Sequence, residues 1–260
     1  MLGQIIAARR EAINRQRDLI REKFLAADSL PRVRNFLELF NTDGRVGLLA
    51  EVKKASPVKG TFLPDLNPAE LALIYQRNGA KGISVITEEK FFRGDPTFIE
   101  KIKDITIVPV MRKDFVVDEV QLYESRLLGA DAVLLITFLL RESLPKFVEL
   151  AHKLGLEAVV EVHDREELRM ALDTPTRIIG INNRSLKDFK VDTRVSLELI
   201  EQVPAGIYCI AESGIGSQND MYALEKHGFD AALVGEALVT ASDIGAQVRE
   251  LAEYGEVSRR

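Results

Sequence analysis

Gly47-Leu48-Leu49-Ala50-Glu51-Val52-Lys53-Lys54-Ala55-Ser56-Pro57 begins as an apolar run and takes on charge with no turn residue between. The run has the pattern of a strand covered on both faces. Glu51 and Lys53 stand at i and i+2, so on a strand both side chains leave the same face. Two charges facing a packed interior are costly, because desolvation can exceed their mutual attraction. The plain alternative is a solvated strand end with ordinary surface charges. Recurrence decides against it: most later apolar runs also end in an acid, a base or an amide. Glu51 and Lys53 therefore read as the first pair of a catalytic set.

Outward from this stretch, apolar runs alternate with amphipathic segments. The runs are Leu48–Val52, Gly82–Thr87, Thr106–Met111, Ala132–Ile136, Ala158–Val162, Ile178–Ile181, Ile207–Ala211 and Ala231–Val234. Helical patterns follow them at Pro68–Asn78, Pro96–Lys103, Val117–Leu128, Leu144–Leu154, Arg165–Leu172, Thr193–Gln202, Gln218–His227 and Ile244–Tyr254. Strand then helix, repeated in this way, predicts an α/β chain folded as a (β/α)8 TIM barrel. An open doubly wound sheet also alternates, but Ser56-Pro57 stands where its Gly-x-Gly-x-x-Gly would follow the first strand. Gly79, Gly129 and Gly228 each sit where a helix needs a left-handed cap before the next strand. Residues 1–45 differ. Ile5 to Lys23 and Arg34 to Phe40 read as two helices of an N-terminal extension that caps a barrel end, so residues 1–260 are expected to form one barrel domain.

A chain of 260 residues suits one large barrel or two ordinary domains. A net charge of -5 with no Lys/Arg block argues against nucleic acid as a partner. The Arg9-Arg10 and Arg259-Arg260 pairs read as solvated ends. No apolar run approaches the roughly 18 residues of a membrane span, and the N-terminus lacks the apolar core of a signal peptide. A single cysteine, Cys209, allows no internal disulfide and suits a reducing cytoplasm. His152, His163 and His227 have no metal-like spacing, so each reads as a surface or helix residue and no metal is expected.

In a barrel the working residues sit at the C-terminal strand ends. Those ends carry Glu51 and Lys53, Thr87-Glu88, Lys113-Asp114, Leu134, Glu161, Asn182 and Arg184, Glu212-Ser213, and Gly235-Glu236. Two lysines, several carboxylates and an amide thus converge on one mouth, where neighbours can tune each pKa for proton transfer. Ser213-Gly214-Ile215-Gly216-Ser217 and Gly235-Glu236-Ala237 read as an anion site. Small residues let backbone N–H groups approach a ligand, and a following helix aims its positive end there. Ser56 offers a further hydroxyl. In Glu88-Glu89-Lys90-Phe91-Phe92-Arg93-Gly94 one aromatic anchors the loop or covers a ligand, with Phe115 able to face it.

Together these motifs resemble the indole-3-glycerol phosphate synthase family. The resemblance is carried by Ala50–Pro57, Thr87–Gly94, Arg112-Lys113-Asp114-Phe115, Gly129–Ile136, Glu161-Val162-His163, Gly180–Leu186, Ala211–Ile215 and Val234–Leu238, in the right order along the whole barrel. It implies a small-molecule substrate, an anthranilate-derived deoxyribulose phosphate, and a ring closure that releases carbon dioxide and water without a cofactor. Lys113 is then the general acid at the keto oxygen, and Glu51 or Glu161 stabilises the cationic intermediate. Lys53 serves as acid in the dehydration, with Glu161 or Glu51 as base. Asn182 and Arg184 hold the carboxylate or a hydroxyl, Ser213 lies near the hydroxyls, and Glu212 contacts substrate. Ser56, Gly214, Gly235 and Glu236 cradle the phosphate, and Phe92, Phe115 and Leu134 wall the ring. A monomer or weak homodimer in the cytoplasm is expected. The rivals are a related barrel such as phosphoribosylanthranilate isomerase, whose chemistry uses a Cys and Asp pair at strand ends, and a non-catalytic phosphate-binding barrel.

Overall fold

The alternation closes on itself. The computed structural model describes residues 1–254, so the Arg259-Arg260 pair lies outside it. After β1 (Gly47–Val52) come a small antiparallel pair, β2 (Ala55–Ser56) and β3 (Gly60–Thr61), and then β4 (Gly82–Ile86) and β5 (Val110–Lys113). The series continues with β6 (Ala132–Ile136), β7 (Glu157–Val162), β8 (Ile178–Asn182), β9 (Tyr208–Glu212) and β10 (Ala231–Val234). β1 and β4 to β10 pair in parallel around a closed barrel, with β1 between β10 and β4. Helices α1 (Leu2–Ala26), α2 (Pro68–Arg77), α3 (Phe98–Lys103), α4 (Val120–Leu127), α5 (Thr137–Leu140) and α6 (Leu144–Lys153) are followed by α7 (Arg165–Leu172), α8 (Arg194–Ile200), α9 (Gln218–Lys226), α10 (Glu236–Val239) and α11 (Ile244–Ala252). The glycine caps are as expected: Gly79, Gly129 and Gly228 have φ of 104°, 82° and 81°.

Period-two alternation sorts the strand residues into two cores. Ala50, Val52, Val85, Val133, Val160, Ile179, Ala211 and Val234 pack outward under the helices. Leu49, Met111, Leu134, Val159, Ile178, Ile210 and Leu233 fill the barrel interior. Two residues on from these interior positions stand Glu51, Lys113, Ile136, Glu161, Gly180, Glu212 and Gly235. The interior stack therefore turns from apolar to charged toward the C-terminal strand ends, and that change makes the mouth.

The extension divides between two places. Phe36 and Leu39, in a 3-10 turn over Phe36–Phe40 rather than the expected helix, join the interior core beneath Leu49 and Met111. Burial of each contributes about 2 kcal/mol. Arg34 fastens this turn, with its guanidinium donating to the carbonyls of Lys103, Thr106 and Val108. Helix α1 lies along α4, where Ile13 and Ile20 meet Val120, Tyr123 and Leu127. Arg9 is not a solvated end. It is 4 % exposed and pairs with Asp114 at 2.6 Å, because α1 carries it across to the loop after β5.

The expected strand Thr106–Met111 is displaced to Val110–Lys113. Pro109 has no N–H for a ladder, and Ile107 before it is 82 % exposed. Arg112 and Lys113 are admitted to the strand because each finds carboxylates, one outside the barrel and one within.

Candidate active site

Every residue proposed from sequence for catalysis, substrate or phosphate lines one cavity of about 720 Å3 at the C-terminal ends of the barrel strands. That size is usual for a small-ligand site.

The floor is ionic. Lys113 Nζ lies 2.7 Å from Glu212 Oε2 and 3.3 Å from Glu161 Oε2, and Lys53 Nζ lies 2.6 Å from Glu51 Oε1. Burial disfavours the Lys113 ammonium, but the carboxylates of Glu212, Glu161 and Glu51 outweigh it and raise its pKa above the lysine range. Burial also pushes Glu212 up, Lys113 offsets only part of this, and Glu161 and Glu51 add to the rise. For Glu161, Lys113 and His163 overcome burial and hold the carboxyl low. The two acids that share Lys113 are thereby driven apart, one inclined to hold a proton and the other to stay ionised. Glu212 Oε1 is buried with no hydrogen-bond partner among the described residues.

Two glycines seat these carboxylates. A Cβ on Gly180 would overlap Glu212 Oε1, and one on Gly235 would overlap Glu51 Oε1 and stand 3.0 Å from Lys53 Nζ. Gly235 also lines the cavity beside the cradle, and its missing side chain makes room for the Glu51–Lys53 pair. Gly180→Ala and Gly235→Ala should each lower kcat by about 10²-fold, the scale of a 1 Å misplacement. Binding of a phosphate-bearing product, measured by calorimetry, should change little. A large loss of that binding with normal kcat in Gly235→Ala would show that the residue serves the anion cradle and not the Glu51–Lys53 pair.

At the cradle the chain turns through Ser213 and Gly214, both left-handed with φ of 66° and 81°. A side chain at Gly214 would strike Val191 and Thr193. The Ser213 carbonyl accepts from Asn183 Nδ2 at 3.0 Å, which braces this non-glycine outlier. At the N-terminus of α9 the Gly216 and Ser217 N–H groups donate to Asp220. The first amides of α10, from Glu236 and Ala237, have no partner within their helix and border the cavity. Opposite them, β2 and β3 fold the loop after β1 into a hairpin bearing Ser56 and Lys59. Ser56 Oγ accepts from the Lys59 N–H at 3.1 Å, and Lys59 Nζ pairs with Glu236 Oε1 at 2.5 Å.

The other wall is aromatic. Glu88, 2 % exposed, accepts from the N–H groups of Lys90, Phe91 and Phe92 and so winds the loop that presents Phe92. Phe92 faces Phe115 with centroids 6.0 Å apart, above Leu134. Arg184 donates to the Phe189 carbonyl at 3.1 Å, and Asn182 Oδ1 accepts from the Arg184 N–H.

Two participants, His163 and Lys59, were missed from sequence, and Asp114 has a role other than the one expected. His163 is no surface histidine: its ring stands 3.1 Å from Glu161 and 2.9 Å from Glu167. Its place two residues after Glu161, immediately past the end of β7, was the available signal. Lys59 lay beyond the strand end, and only the hairpin returns it. Asp114 was grouped with the mouth, yet its carboxylate is held by Arg9, Arg112 and Thr87. Among the described residues no group of three or more His, Cys, Asp or Glu is placed to hold a metal ion, and no helix is long and apolar enough to cross a membrane.

A parallel (β/α)8 barrel with a lysine–carboxylate cluster beside an amide-lined cradle defines the class. Solved structures share this fold: thiamine phosphate pyrophosphorylase from Pyrococcus furiosus has a TM-score of 0.62 and 17 % identity over 82 % of this chain and 96 % of that one. A 3-hexulose-6-phosphate synthase has a TM-score of 0.65 and 17 % identity over 80 % and 99 %. The sequence profile of the indole-3-glycerol phosphate synthase family matches residues 2–251, and the chain belongs to that family. Relatives of that name include one from Desulforamulus reducens, 44 % identical over 93 % of this chain and 95 % of the relative. Another, from Dehalococcoides mccartyi, is 49 % identical over 80 % and 82 %.

Proposed function

We propose that the chain is an indole-3-glycerol phosphate synthase, a carbon–carbon lyase of tryptophan biosynthesis in the cytoplasm. It converts 1-(2-carboxyphenylamino)-1-deoxyribulose 5-phosphate to indole-3-glycerol phosphate, carbon dioxide and water. The observation that carries the reading is Lys113 held between Glu161 and Glu212, with the cradle to one side and Phe92 and Phe115 to the other. Charged residues buried on a barrel floor destabilise the fold, and they are retained where they act on a ligand.

Phosphate sits against the backbone of Gly235, the amides of Glu236 and Ala237, the Gly214 turn, Ser56 and Lys59, and the anthranilate ring lies along Phe92, Phe115 and Leu134. Arg184, with Asn182, takes the ring carboxylate, since its fork matches two oxygens. The ring carbon bearing that carboxylate attacks the ketone carbon, and Lys113 gives its proton to the oxygen. Glu161 and Glu51 stabilise the resulting cation. Glu212 accepts the aryl N–H through its unpartnered oxygen, and Ser213 holds the hydroxyls. Loss of carbon dioxide returns the electron pair to the ring. Lys53 then protonates the departing hydroxyl while Glu51 or Glu161 removes the proton from carbon. The isomerase alternative lacks its thiol: Cys209 packs outward beneath the helices, and burial pushes its pKa up to about 12.

The test is a continuous assay of indole fluorescence with the anilino-deoxyribulose phosphate. Saturable indole formation is expected. Its absence in folded protein, or isomerisation of phosphoribosylanthranilate instead, overturns the reading.

A further inference from the structure

Glu161 is flanked by cationic groups at both ends. Its Oε2 faces Lys113 at 3.3 Å, and its Oε1 lies 3.1 Å from His163 Nε2, an ion-pair distance without hydrogen-bond alignment. His163 is itself fixed, since Glu167 Oε2 takes both its ring Nδ1 and its backbone N–H, each at 2.9 Å. Glu167 is set by the N-terminus of α7, where Asp164 caps the Glu167 N–H at 2.9 Å. The His163 side chain is 11 % exposed and that of Glu167 is 9 % exposed, so neither is an ordinary surface group. An imidazole between two carboxylates serves both when it carries two protons, one on each nitrogen.

We propose that His163, held by Glu167, is a positioning residue for Glu161: as an imidazolium it fixes the carboxylate's direction and keeps it ionised. This rests on the synthase reading above. With Glu161 pinned as an anion, the exchangeable proton of the shared cluster resides on Lys113 and Glu212, beside the reacting atoms. Burial opposes charge on His163, but Glu161 and Glu167 together raise its pKa to about 10. The groups facing Glu161 are Lys113 on β5 and Glu212 on β9, and Glu51 on β1 in turn faces those two. Helix α5, packed on α7, brings no ionisable side chain. On its other side His163 borders a cavity that also includes Asp164, Lys187, Asp188, Lys190, Asp192 and Arg194. Lys190 pairs with Asp188 and Arg194 with Asp192, so those charges are largely matched.

The experiment compares pH profiles of kcat in wild type, His163→Gln and Glu167→Gln, with imidazole NMR of the first and last. Removing a cation close to a carboxylate raises its pKa by about 1 unit or more. Glu161 and Glu212 share Lys113, so the acid limb belongs to the pair and moves upward as a whole. His163→Gln should therefore lose about tenfold in kcat on the acid side, recover toward wild type as pH rises, and keep KM within about twofold. Glu167→Gln should show a smaller shift of the same sign. In wild type the His163 ring should remain doubly protonated past pH 8, and in Glu167→Gln it should titrate earlier. A uniform loss across pH, or a His163 ring neutral at pH 7, overturns the proposal. Should wild type form no indole, the synthase reading fails while the NMR titration still decides the charge of His163.

Discussion

Lys113→Ala should lose about 10³-fold or more in kcat, within the range general acid catalysis supplies. Two effects act together. The proton donor at the ketone oxygen is gone, and Glu161 and Glu212 are left facing one another without the cation that both contact. Like charges in a buried site force one carboxyl to take up a proton, so the remaining cluster changes charge as well as shape. The amides of α10, Ser56 and Lys59 are untouched by the substitution. Indole-3-glycerol phosphate should therefore still bind within a few-fold of wild type by calorimetry. Near-normal indole formation by Lys113→Ala would remove this residue from the acid role.

Asp114→Ala should cost about 3–5 kcal/mol of stability, the cost of stranding a buried charge. Asp114 is buried and joins Arg9 at 2.6 Å, Arg112 at 3.1 Å and the Thr87 hydroxyl at 2.6 Å. Arg112 keeps Glu124 at 2.6 Å, but the nearest remaining acids to Arg9 are 3.8 and 3.9 Å away. For a chain of this size the midpoint of thermal unfolding should fall by about 10 °C. Burial raises the Asp114 pKa, but Arg9 and Arg112 outweigh it and depress the group below 3.8. Its contribution is thus present above that ordinary value and fades as pH falls below it. Arg9→Ala tests the same joint from the extension. If α1 rested on the barrel only through surface contacts, its effect would stay within about 0.5 kcal/mol. A change that small would separate the extension from the loop that follows Lys113.

The barrel was legible because its signals are local. Eight apolar runs, interleaved helical periods and glycine caps each depend on a few neighbouring residues. The mouth was legible for a related reason: parity along one strand relates Leu49 to Glu51 and Val159 to Glu161, and every strand end points the same way in a parallel barrel. His163, one residue past the end of β7, continues that parity, although its spacing to the other histidines carries no metal signal. Arg9 gave no such sign. In a helix its charge resembles that of Arg10, and burial follows from where α1 crosses the barrel.

By itself the sequence determined which residues gather at one rim, since strand order and side-chain alternation are properties of the chain. Which charge faces which was decided only by tertiary structure: Lys113 between Glu161 and Glu212, and Glu51 over Gly235. Coulomb interaction and desolvation depend on distances of a few ångströms between residues about 50 to 180 positions apart, and closure of the barrel sets those distances.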